Sequence, residues 1–268
     1  MKLLLSSALF IVLVLYVVGC GVLYFKQEAL LFYPQQLPAQ YQFAFPGEHA
    51  EFPITAADGT RLSGLLFKAP TPAKGLVFYL HGNAGSLVGW GPLAATYTHL
   101  GYDVFMLDYR GYGKSAGRIS SQAQWLGDVE AAYEQVRAGY AAADIVIAGY
   151  SLGTGPATWL AARHPPRLLL LHAPYYSLLD MAAHTVQLWP ILPRGLLRYP
   201  MPTNEFIQQV RAPIYLFHGD RDGLIPYSAA TRLAALLKPT DHFITLHGAG
   251  HNGLTDEPQY QQAIRTIL

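Results

Sequence analysis

Residues 144–153 read Asp-Ile-Val-Ile-Ala-Gly-Tyr-Ser-Leu-Gly, an apolar run that ends in the pattern G-x-S-x-G. The run has the length and apolar content of a buried strand, and helical spacing begins near Leu152. A serine in a sharp turn between a strand and a helix presents its hydroxyl above the sheet, and the glycines avoid the clash that a Cβ would make. The context therefore predicts that Ser151 is a nucleophile; the alternative is a glycine-rich helix start that Ser151 merely caps.

The rest of the chain alternates short apolar runs with longer amphipathic stretches. Strands are predicted at 51–56, 61–68, 75–80, 103–107, 144–148, 167–172, 213–217 and 242–246, and helices at 87–100, 121–139, 152–164, 227–237 and 257–267. The first two strands flank Asp58-Gly59, a pair typical of a β-hairpin. This alternation predicts an α/β fold with a mostly parallel eight-stranded sheet that helices cover on both faces.

Residues 176–211 interrupt the alternation. Four Xaa-Pro pairs break them into short segments: Trp189-Pro190, Leu192-Pro193, Tyr199-Pro200 and Met201-Pro202. The segment is too rich in proline for one long helix but apolar enough to pack. We expect a small helical cap, inserted at about 176–211 into a domain of residues 51–268. Since ligands of parallel sheets bind beyond the carboxyl ends of the strands, the cap should lie over the site.

The amino-terminal segment is apolar all round. No side chain from Leu3 to Phe25 is charged, and Lys2 and Lys26 bracket the run. About 20 apolar residues suffice for a helix to span a bilayer. Residues 1–26 are therefore predicted to form a membrane anchor or signal segment. Residues 27–50, which contain three prolines, are predicted to form a collar against the domain.

Two interpretations of this segment compete. Val17-Val18-Gly19-Cys20 resembles the lipobox of bacterial lipoproteins, whose cysteine becomes the lipidated amino terminus. The apolar run continues through Phe25, however, which an uncleaved single-pass anchor needs and a lipoprotein does not. The anchor interpretation is favoured. The amino terminus and Lys2 are positive, whereas Glu28 soon offsets Lys26 at the other end of the run. The positive-inside tendency therefore places the amino terminus in the cytoplasm and the domain on the extracytoplasmic side.

A serine nucleophile needs a base and an acid. His251 stands in a glycine-containing loop after the last predicted strand, where a side chain can reach across to a serine on another strand. Asp222 follows the strand at 213–217, and the chain order Ser, Asp, His agrees with one known arrangement of the triad. Asp220 and Asp180 are competing candidates for the acid.

Acyl transfer also requires donors for the developing oxyanion. The turn His81-Gly82-Asn83-Ala84-Gly85 follows the strand at 75–80 and can expose backbone N–H groups. The natural pair of donors is the N–H of Asn83 and that of Leu152, directly after the nucleophile. His81 is expected to buttress the turn rather than to transfer protons.

Composition excludes several classes of function. The formal net charge is +1 and the 18 lysines and arginines are scattered, which argues against nucleic acid as a partner. The single cysteine, Cys20, cannot form an internal disulfide. Scattered histidines without a helical His-pair motif do not indicate a metal site. No metal or organic cofactor is therefore expected.

Several motifs together resemble the α/β-hydrolase superfamily. They are His81-Gly82-Asn83-Ala84-Gly85, Asp108-Tyr109-Arg110-Gly111-Tyr112-Gly113-Lys114-Ser115, Gly149-Tyr150-Ser151-Leu152-Gly153, His218-Gly219-Asp220-Arg221-Asp222 with Ile225-Pro226, and Gly250-His251-Asn252. The resemblance extends from about Leu31 to Leu268 and is strongest to the membrane-anchored branch, whose eukaryotic relatives include protein depalmitoylases and lysophospholipid lipases. It implies that Asp222 is the acid, that Asn83 and Leu152 supply the oxyanion donors, and that Asp108 and Arg110 are structural.

These observations predict a serine hydrolase that cleaves carboxylic esters or thioesters through an acyl-enzyme, on lipid-like or acyl-chain substrates. An aminopeptidase or acyltransferase could use the same triad, since the fold does not fix the leaving group or the acceptor. A membrane-tethered binding protein without catalysis is the alternative from another class.

Overall fold

Strands and helices alternate through the computed structural model, which describes residues 2–70, 72–185 and 192–268. The strands are β1 (Tyr33–Pro34), β2 (His49–Thr55), β3 (Arg61–Phe67), β4 (Leu76–Leu80), β5 (Ala84–Gly85), β6 (Asp103–Asp108), β7 (Ile145–Tyr150), β8 (Leu168–His172), β9 (Ile214–Gly219) and β10 (His242–Leu246). The helices are α1 (Lys2–Leu31), α2 (Leu87–Trp90), α3 (Ala94–Thr98), α4 (Gln122–Arg137), α5 (Thr154–Arg163), α6 (Leu178–Thr185), α7 (Thr203–Phe206), α8 (Tyr227–Ala234) and α9 (Pro258–Ile267).

Eight strands form one sheet in the order β10-β9-β8-β7-β4-β6-β3-β2. β3 is antiparallel to both β2 and β6, and the other pairs are parallel. The central strands β4, β6, β7 and β8 are buried along their whole length, as expected where helices cover both faces. The predicted α/β-hydrolase fold with its mostly parallel eight-stranded sheet is confirmed, including the opening hairpin.

Helix α1 is longer than the sequence predicts. It continues past the expected boundary at residue 26 and ends at Leu31, so residues 27–31 of the predicted collar are helical and largely irregular chain begins only at Phe32. Cys20 lies inside this continuous helix. The stretch Leu9–Leu31 is long and apolar enough to cross a membrane.

Short helices occupy the described part of residues 176–211, the segment predicted to be a cap. Its described part contains α6, α7 and 3-10 turns at Arg194–Leu196 and Ile207–Gln209. The Trp189-Pro190 pair lies outside the described residues. Proline explains the segmentation, since it removes a backbone donor and clashes with the preceding helical turn.

A buried cation fixes the loop after β6. The guanidinium of Arg110, which is 6% exposed, donates to Asp128 on α4 over 2.5 and 2.8 Å and to Asp58 in the hairpin over 2.8 and 2.9 Å. The pairing is bidentate at both carboxylates, the geometry for which arginine is suited. Arg110 thus joins the hairpin, the central sheet and α4, as expected from its structural role.

Removing the buried partner of this cation should be costly. We expect Asp128→Ala to lower the free energy of unfolding by up to about 3–5 kcal/mol, because the buried guanidinium keeps only the exposed carboxylate of Asp58 as its partner. Glu134→Ala on the same helix is the matched control: its pair with Arg137 is exposed, so the expected loss is about 0–1 kcal/mol. Denaturant titration of both variants measures the difference, and equal losses would contradict this account.

Two fully buried histidines lie near the carboxyl ends of the central strands. His172 is the last residue of β8. Its Nδ1 lies 3.1 Å from the Gly149 carbonyl oxygen, and its Nε2 lies 3.0 Å from the Tyr260 hydroxyl. Burial lowers the pKa of His172 to about 4, although the contact with Gly149 opposes the shift. Burial likewise lowers the pKa of His81, after β4, to about 4. Both rings are therefore neutral at pH 7.

These pKa values predict loss of stability in mild acid. Between pH 6.5 and 4 the unfolded chain binds protons that the folded chain excludes, so stability falls as the pH decreases through this window. Each histidine contributes a slope of up to about 1.4 kcal/mol per pH unit. We expect His172→Gln to reduce the slope of unfolding free energy from pH 6.5 to 4.5 by about that amount. An unchanged slope would show that His172 does not exclude the proton.

Candidate active site

Ser151 stands at the turn between β7 and the helix that follows. Its φ is +50°, a left-handed value that a residue with a Cβ adopts only when its surroundings enforce it. β7 ends at Tyr150, a 3-10 turn covers Ser151–Gly153, and α5 begins at Thr154. The turn therefore lifts the hydroxyl off the strand end towards the cap, and Ser151 remains 8% exposed.

Close packing requires the two glycines of the motif. A Cβ on Gly149 would lie 2.5 Å from the carbonyl oxygen of Gly153, and a Cβ on Gly153 would lie 2.1 Å from the carbonyl oxygen of Leu80. Neither backbone carbonyl can move without displacing the turn or β4. The G-x-S-x-G spacing is thus a steric condition for seating this turn on the sheet.

His251 reaches Ser151 from the loop after β10. Its Nε2 lies 3.0 Å from Ser151 Oγ, and its Nδ1 lies 2.7 Å from Asp222 Oδ2. The Tyr150 hydroxyl donates to the His251 carbonyl over 2.6 Å and so holds the loop. A Cβ on Gly219 would meet the Ala249 carbonyl oxygen at 2.3 Å, which shows how closely this loop approaches the end of β9.

The carboxylate of Asp222 is fully buried, with its acceptor positions filled. Oδ1 accepts from the N–H groups of Leu224 and Ile225, each over 2.8 Å. Oδ2 faces His251 and also lies 3.2 Å from Nε2 of His218. Burial alone would raise the pKa of Asp222, but the hydrogen bonds from His218, His251 and Ile225 outweigh it and hold the pKa well below its usual range. Asp222 is therefore ionised at neutral pH.

The structure separates the three candidate acids. Only Asp222 contacts His251. Asp220 accepts from the Gly248 N–H over 2.7 Å and lies 3.0 Å from the His247 ring, so it supports the start of the histidine loop. Asp180 on α6 pairs with Arg232 over 2.8 Å at the surface.

Sequence reasoning missed the contribution of His218. Its Nε2 lies between Asp222 Oδ2 and the carbonyl oxygen of Ile225, 3.0 Å away, and the ring is fully buried. It therefore helps to orient the same carboxylate oxygen that contacts His251. The position of His218 two residues before Asp220 at the end of a strand was the available signal, but the chain's ten histidines obscured it.

The turn after β4 faces Ser151 across the site. A Cβ on Gly82 would lie 3.5 Å from the Ser151 Cβ, so this backbone passes directly beside the nucleophile. Asn83 lies in this turn, and Leu152 directly follows the nucleophile. Both residues line the same cavity as Ser151. His81 contacts the Gly82 carbonyl over 2.7 Å from inside the turn, as a buttress would.

The side chain of Asn83 is fixed by three groups. Its Nδ2 donates to the Leu31 carbonyl over 2.6 Å, and its Oδ1 accepts from the Tyr33 N–H over 3.2 Å and from the Tyr112 hydroxyl over 3.0 Å. Two of the three partners belong to the end of α1 and the residues that follow it. β1 then pairs with β5, which extends the contact along the turn.

An apolar cavity of about 440 Å³ opens at Ser151. It is lined by residues of α1, the turn after β4, the nucleophile turn, the cap and the loop after β9: Leu23, Gln27, Leu30, Leu31, Asn83, Ser151, Leu152, Tyr175, Leu178, Met181, Ala182, Thr185, Leu192, Leu196, Leu197, Leu224 and Ile225. No formally charged side chain lines it among the described residues. Its size lies within the range of small-molecule sites.

Metal ligands are not grouped in this region. Across residues 2–70, 72–185 and 192–268, no cluster of three histidine, cysteine or acidic side chains could hold an ion. The geometry instead brings together a hydroxyl, an imidazole and an ionised carboxylate, the three groups that can convert a serine into a nucleophile without a metal.

Comparisons with known proteins agree with this architecture. Residues 71–203 match the family model described as Hydrolase_4, serine aminopeptidase S33. The uncharacterized protein Rv2307c of Mycobacterium tuberculosis is 32% identical over 270 residues, which cover 97% of this chain and 95% of the relative. Human α/β hydrolase domain-containing protein 17B is 27% identical over 223 residues, or 81% of this chain and 74% of that protein.

Solved structures with low sequence identity share the fold. The Pyrococcus furiosus esterase Pf2001 superimposes with a TM-score of 0.69 at 18% identity, covering 89% of this chain and 97% of the esterase. Est1E from Butyrivibrio proteoclasticus, solved with ferulic acid bound, gives a TM-score of 0.67 at 20% identity over 80% of this chain and 96% of that chain. From its sheet, its motifs and relatives that align along most of its length, the chain belongs to the α/β-hydrolase superfamily.

Proposed function

We propose that this chain is a serine hydrolase that cleaves carboxylic esters or thioesters of acyl chains through an acyl-enzyme. The observation that carries the proposal is the hydrogen-bonded series from Ser151 through His251 to Asp222, with distances of 3.0 and 2.7 Å, at the floor of an apolar cavity. The hydrolase family and the esterase neighbours support the general class of reaction.

The chemistry follows from the positions of these groups. Ser151 Oγ attacks the carbonyl carbon of the substrate while His251 Nε2 takes the hydroxyl proton. The N–H groups of Asn83 and Leu152 stabilise the negative charge that develops on the carbonyl oxygen. Protonated His251 then donates to the departing alcohol or thiol, which leaves the acyl group on Ser151. Water, deprotonated by the same imidazole, attacks the acyl-enzyme and regenerates the serine.

Asp222 has two roles in this scheme. Its Oδ2 accepts from Nδ1–H of His251, which fixes the tautomer that leaves Nε2 free as a base. Its negative charge also stabilises the imidazolium formed in each half-reaction. Because its pKa lies well below the usual range, Asp222 keeps that charge at any pH at which His251 can act as a base.

The cavity favours an acyl chain as substrate. Leucine and methionine side chains from α1 and the cap dominate its lining, and each methylene transferred from water to such surroundings contributes about 0.8 kcal/mol. An aminopeptidase, the activity in the family model's description, would need an anionic group for the substrate's amino terminus. The described lining offers no such side chain. Esters and thioesters are therefore preferred over aminoacyl amides.

Membrane attachment is part of the proposal. The apolar helix α1 would place the domain at a bilayer as a single-pass anchor, with the catalytic domain on the extracytoplasmic side according to the charges around the helix. Processing at Cys20 would give a lipoprotein instead. Both arrangements keep Leu23 to Leu31 attached to the domain.

Hydrolysis of p-nitrophenyl esters with two to sixteen carbons tests the function. We expect kcat/KM of the detergent-solubilised protein to rise with chain length, and Ser151→Ala to abolish turnover. Asp222→Asn should lower kcat about 10⁴-fold, because the imidazole loses its favoured tautomer. A fluorophosphonate should label the wild-type chain at Ser151.

Asp180→Asn is the matched control for Asp222→Asn. It neutralises the acid that pairs with Arg232 at the surface, and we expect kcat to stay within about twofold of wild type, as for other surface substitutions. If the wild-type chain hydrolyses no ester and Ser151 resists the fluorophosphonate, the proposal fails and a binding role replaces it. Faster cleavage of aminoacyl p-nitroanilides than of esters would instead favour the aminopeptidase.

A further inference from the structure

The last turns of α1 form one wall of the cavity that contains Ser151. Leu23, Gln27, Leu30 and Leu31 all line it. Steps of four and three residues place Leu23, Gln27 and Leu30 on one face of a helix. The neighbouring residue Val22 is exposed and is not among the residues that line this cavity. One face of the candidate membrane helix is therefore built into the site, and its other faces are not.

Gln27 ties this wall to the cap. It is 5% exposed, in a helix whose other described side chains are mostly exposed. Its Oε1 accepts from the Arg198 N–H over 2.7 Å, and its Nε2 donates to the carbonyls of Leu196 over 3.2 Å and Tyr24 over 3.0 Å. Since Leu196 also lines the cavity, the amide fixes the distance between two of its walls.

A second connection lies beside the first. The carboxylate of Glu28 pairs with the Arg198 guanidinium over 2.8 Å and accepts from the Tyr199 hydroxyl over 2.8 Å. The Arg198 guanidinium also lies 5.4 Å from the ring centre of Tyr24. Arg198 and Tyr199, which directly follow the lining residue Leu197, are thus held against one turn of α1.

The wall crosses the level at which α1 changes from apolar to charged. Lys26 and Glu28 are the first charged residues after the apolar run that begins at Leu3. At 1.5 Å per residue, Leu23 lies about 4.5 Å to the apolar side of Lys26, and Leu30 lies about 6 Å to the other side. A bilayer spanned by the run would therefore end beside the cavity, with Leu23 at its hydrocarbon boundary.

We infer that the end of α1 is a specificity-determining part of the active site, along which the acyl chain of a membrane-embedded ester lies when its carbonyl reaches Ser151. This inference rests on the proposed esterase function and names its substrate class. Leu23 and Leu30 contact the acyl chain of the substrate. Gln27 holds the cap at the distance from α1 that the acyl chain fills. The apolar run of α1 guides the acyl chain from the membrane leaflet to the cavity. The helix is a substrate-binding element as well as an anchor.

Leu23→Trp and Leu23→Ala in the full-length protein test the inference, with Val22→Trp as the matched control. The indole should occupy the space of at least two methylenes of the acyl chain. Each methylene that can no longer be buried should lower kcat/KM about fourfold. We expect Leu23→Trp to lower the ratio of kcat/KM for the palmitate ester to kcat/KM for the butyrate ester at least tenfold. Leu23→Ala should move the preference to longer chains. Val22→Trp, on the exposed face, should reproduce the wild-type profile.

Fluorophosphonate labelling of Ser151 separates a failure of this inference from a failure of the enzyme assignment. Labelling at the wild-type rate in each variant shows that the domain is folded and the nucleophile intact. If the variants are labelled but Leu23→Trp, Leu23→Ala and Val22→Trp share one chain-length profile, the helix does not contact the substrate and the inference is overturned. If wild type is neither labelled nor active on butyrate, the proposed function itself has failed.

Gln27→Leu examines the connection to the cap without adding bulk. Leucine suits the apolar helix but removes the hydrogen bonds to Arg198 and Leu196. We expect KM for the palmitate ester to rise at least fivefold relative to KM for the butyrate ester. An unchanged KM for palmitate would show that the amide does not set the width of the cavity.

Discussion

The contact between the nucleophile turn and strand β4 is the constraint on which the rest of the site depends. Gly153 packs so closely on β4 that any side chain there would occupy the position of the Leu80 carbonyl oxygen. That approach forces Ser151 into its positive φ and aligns the start of α5 with the sheet. It also brings the turn after β4 beside the nucleophile, so one steric fit positions the Ser151 hydroxyl against the Gly82 backbone.

Burial of the Asp222 carboxylate organises the other side of the site. A buried negative charge is stable only when hydrogen bonds replace its hydration. The N–H groups of Leu224 and Ile225 and the rings of His218 and His251 supply them. These donors come from the end of β9, the loop beyond it and the loop after β10. Because one buried carboxylate needs donors from both, the loop after β9 and the loop after β10 are held next to each other although they are distant in sequence.

The amino-terminal helix joins both halves of the site to the cap. Its final carbonyl accepts from the Asn83 side chain, in the turn that faces the nucleophile, and its buried Gln27 bonds to cap residues across the cavity. A segment whose composition suggests only membrane attachment therefore forms one wall of the cavity at Ser151. Apolar substrates and apolar anchors both favour the hydrocarbon of a bilayer over water. This is a physical reason for one helix to serve as an anchor and as a wall of the substrate cavity.

Local sequence determined the fold and the candidate reactive groups of this protein. Steric limits on glycine and the alternation of apolar runs act over a few residues, so the nucleophile turn, the eight strands and the chain order of Ser151, Asp222 and His251 could be read directly. Tertiary structure alone decided which acid contacts the imidazole, that His218 supports it, and that α1 continues to Leu31 and lines the cavity. Those outcomes depend on contacts between residues up to about 170 positions apart. A helix that is apolar on every face carries no local signal of which face is buried.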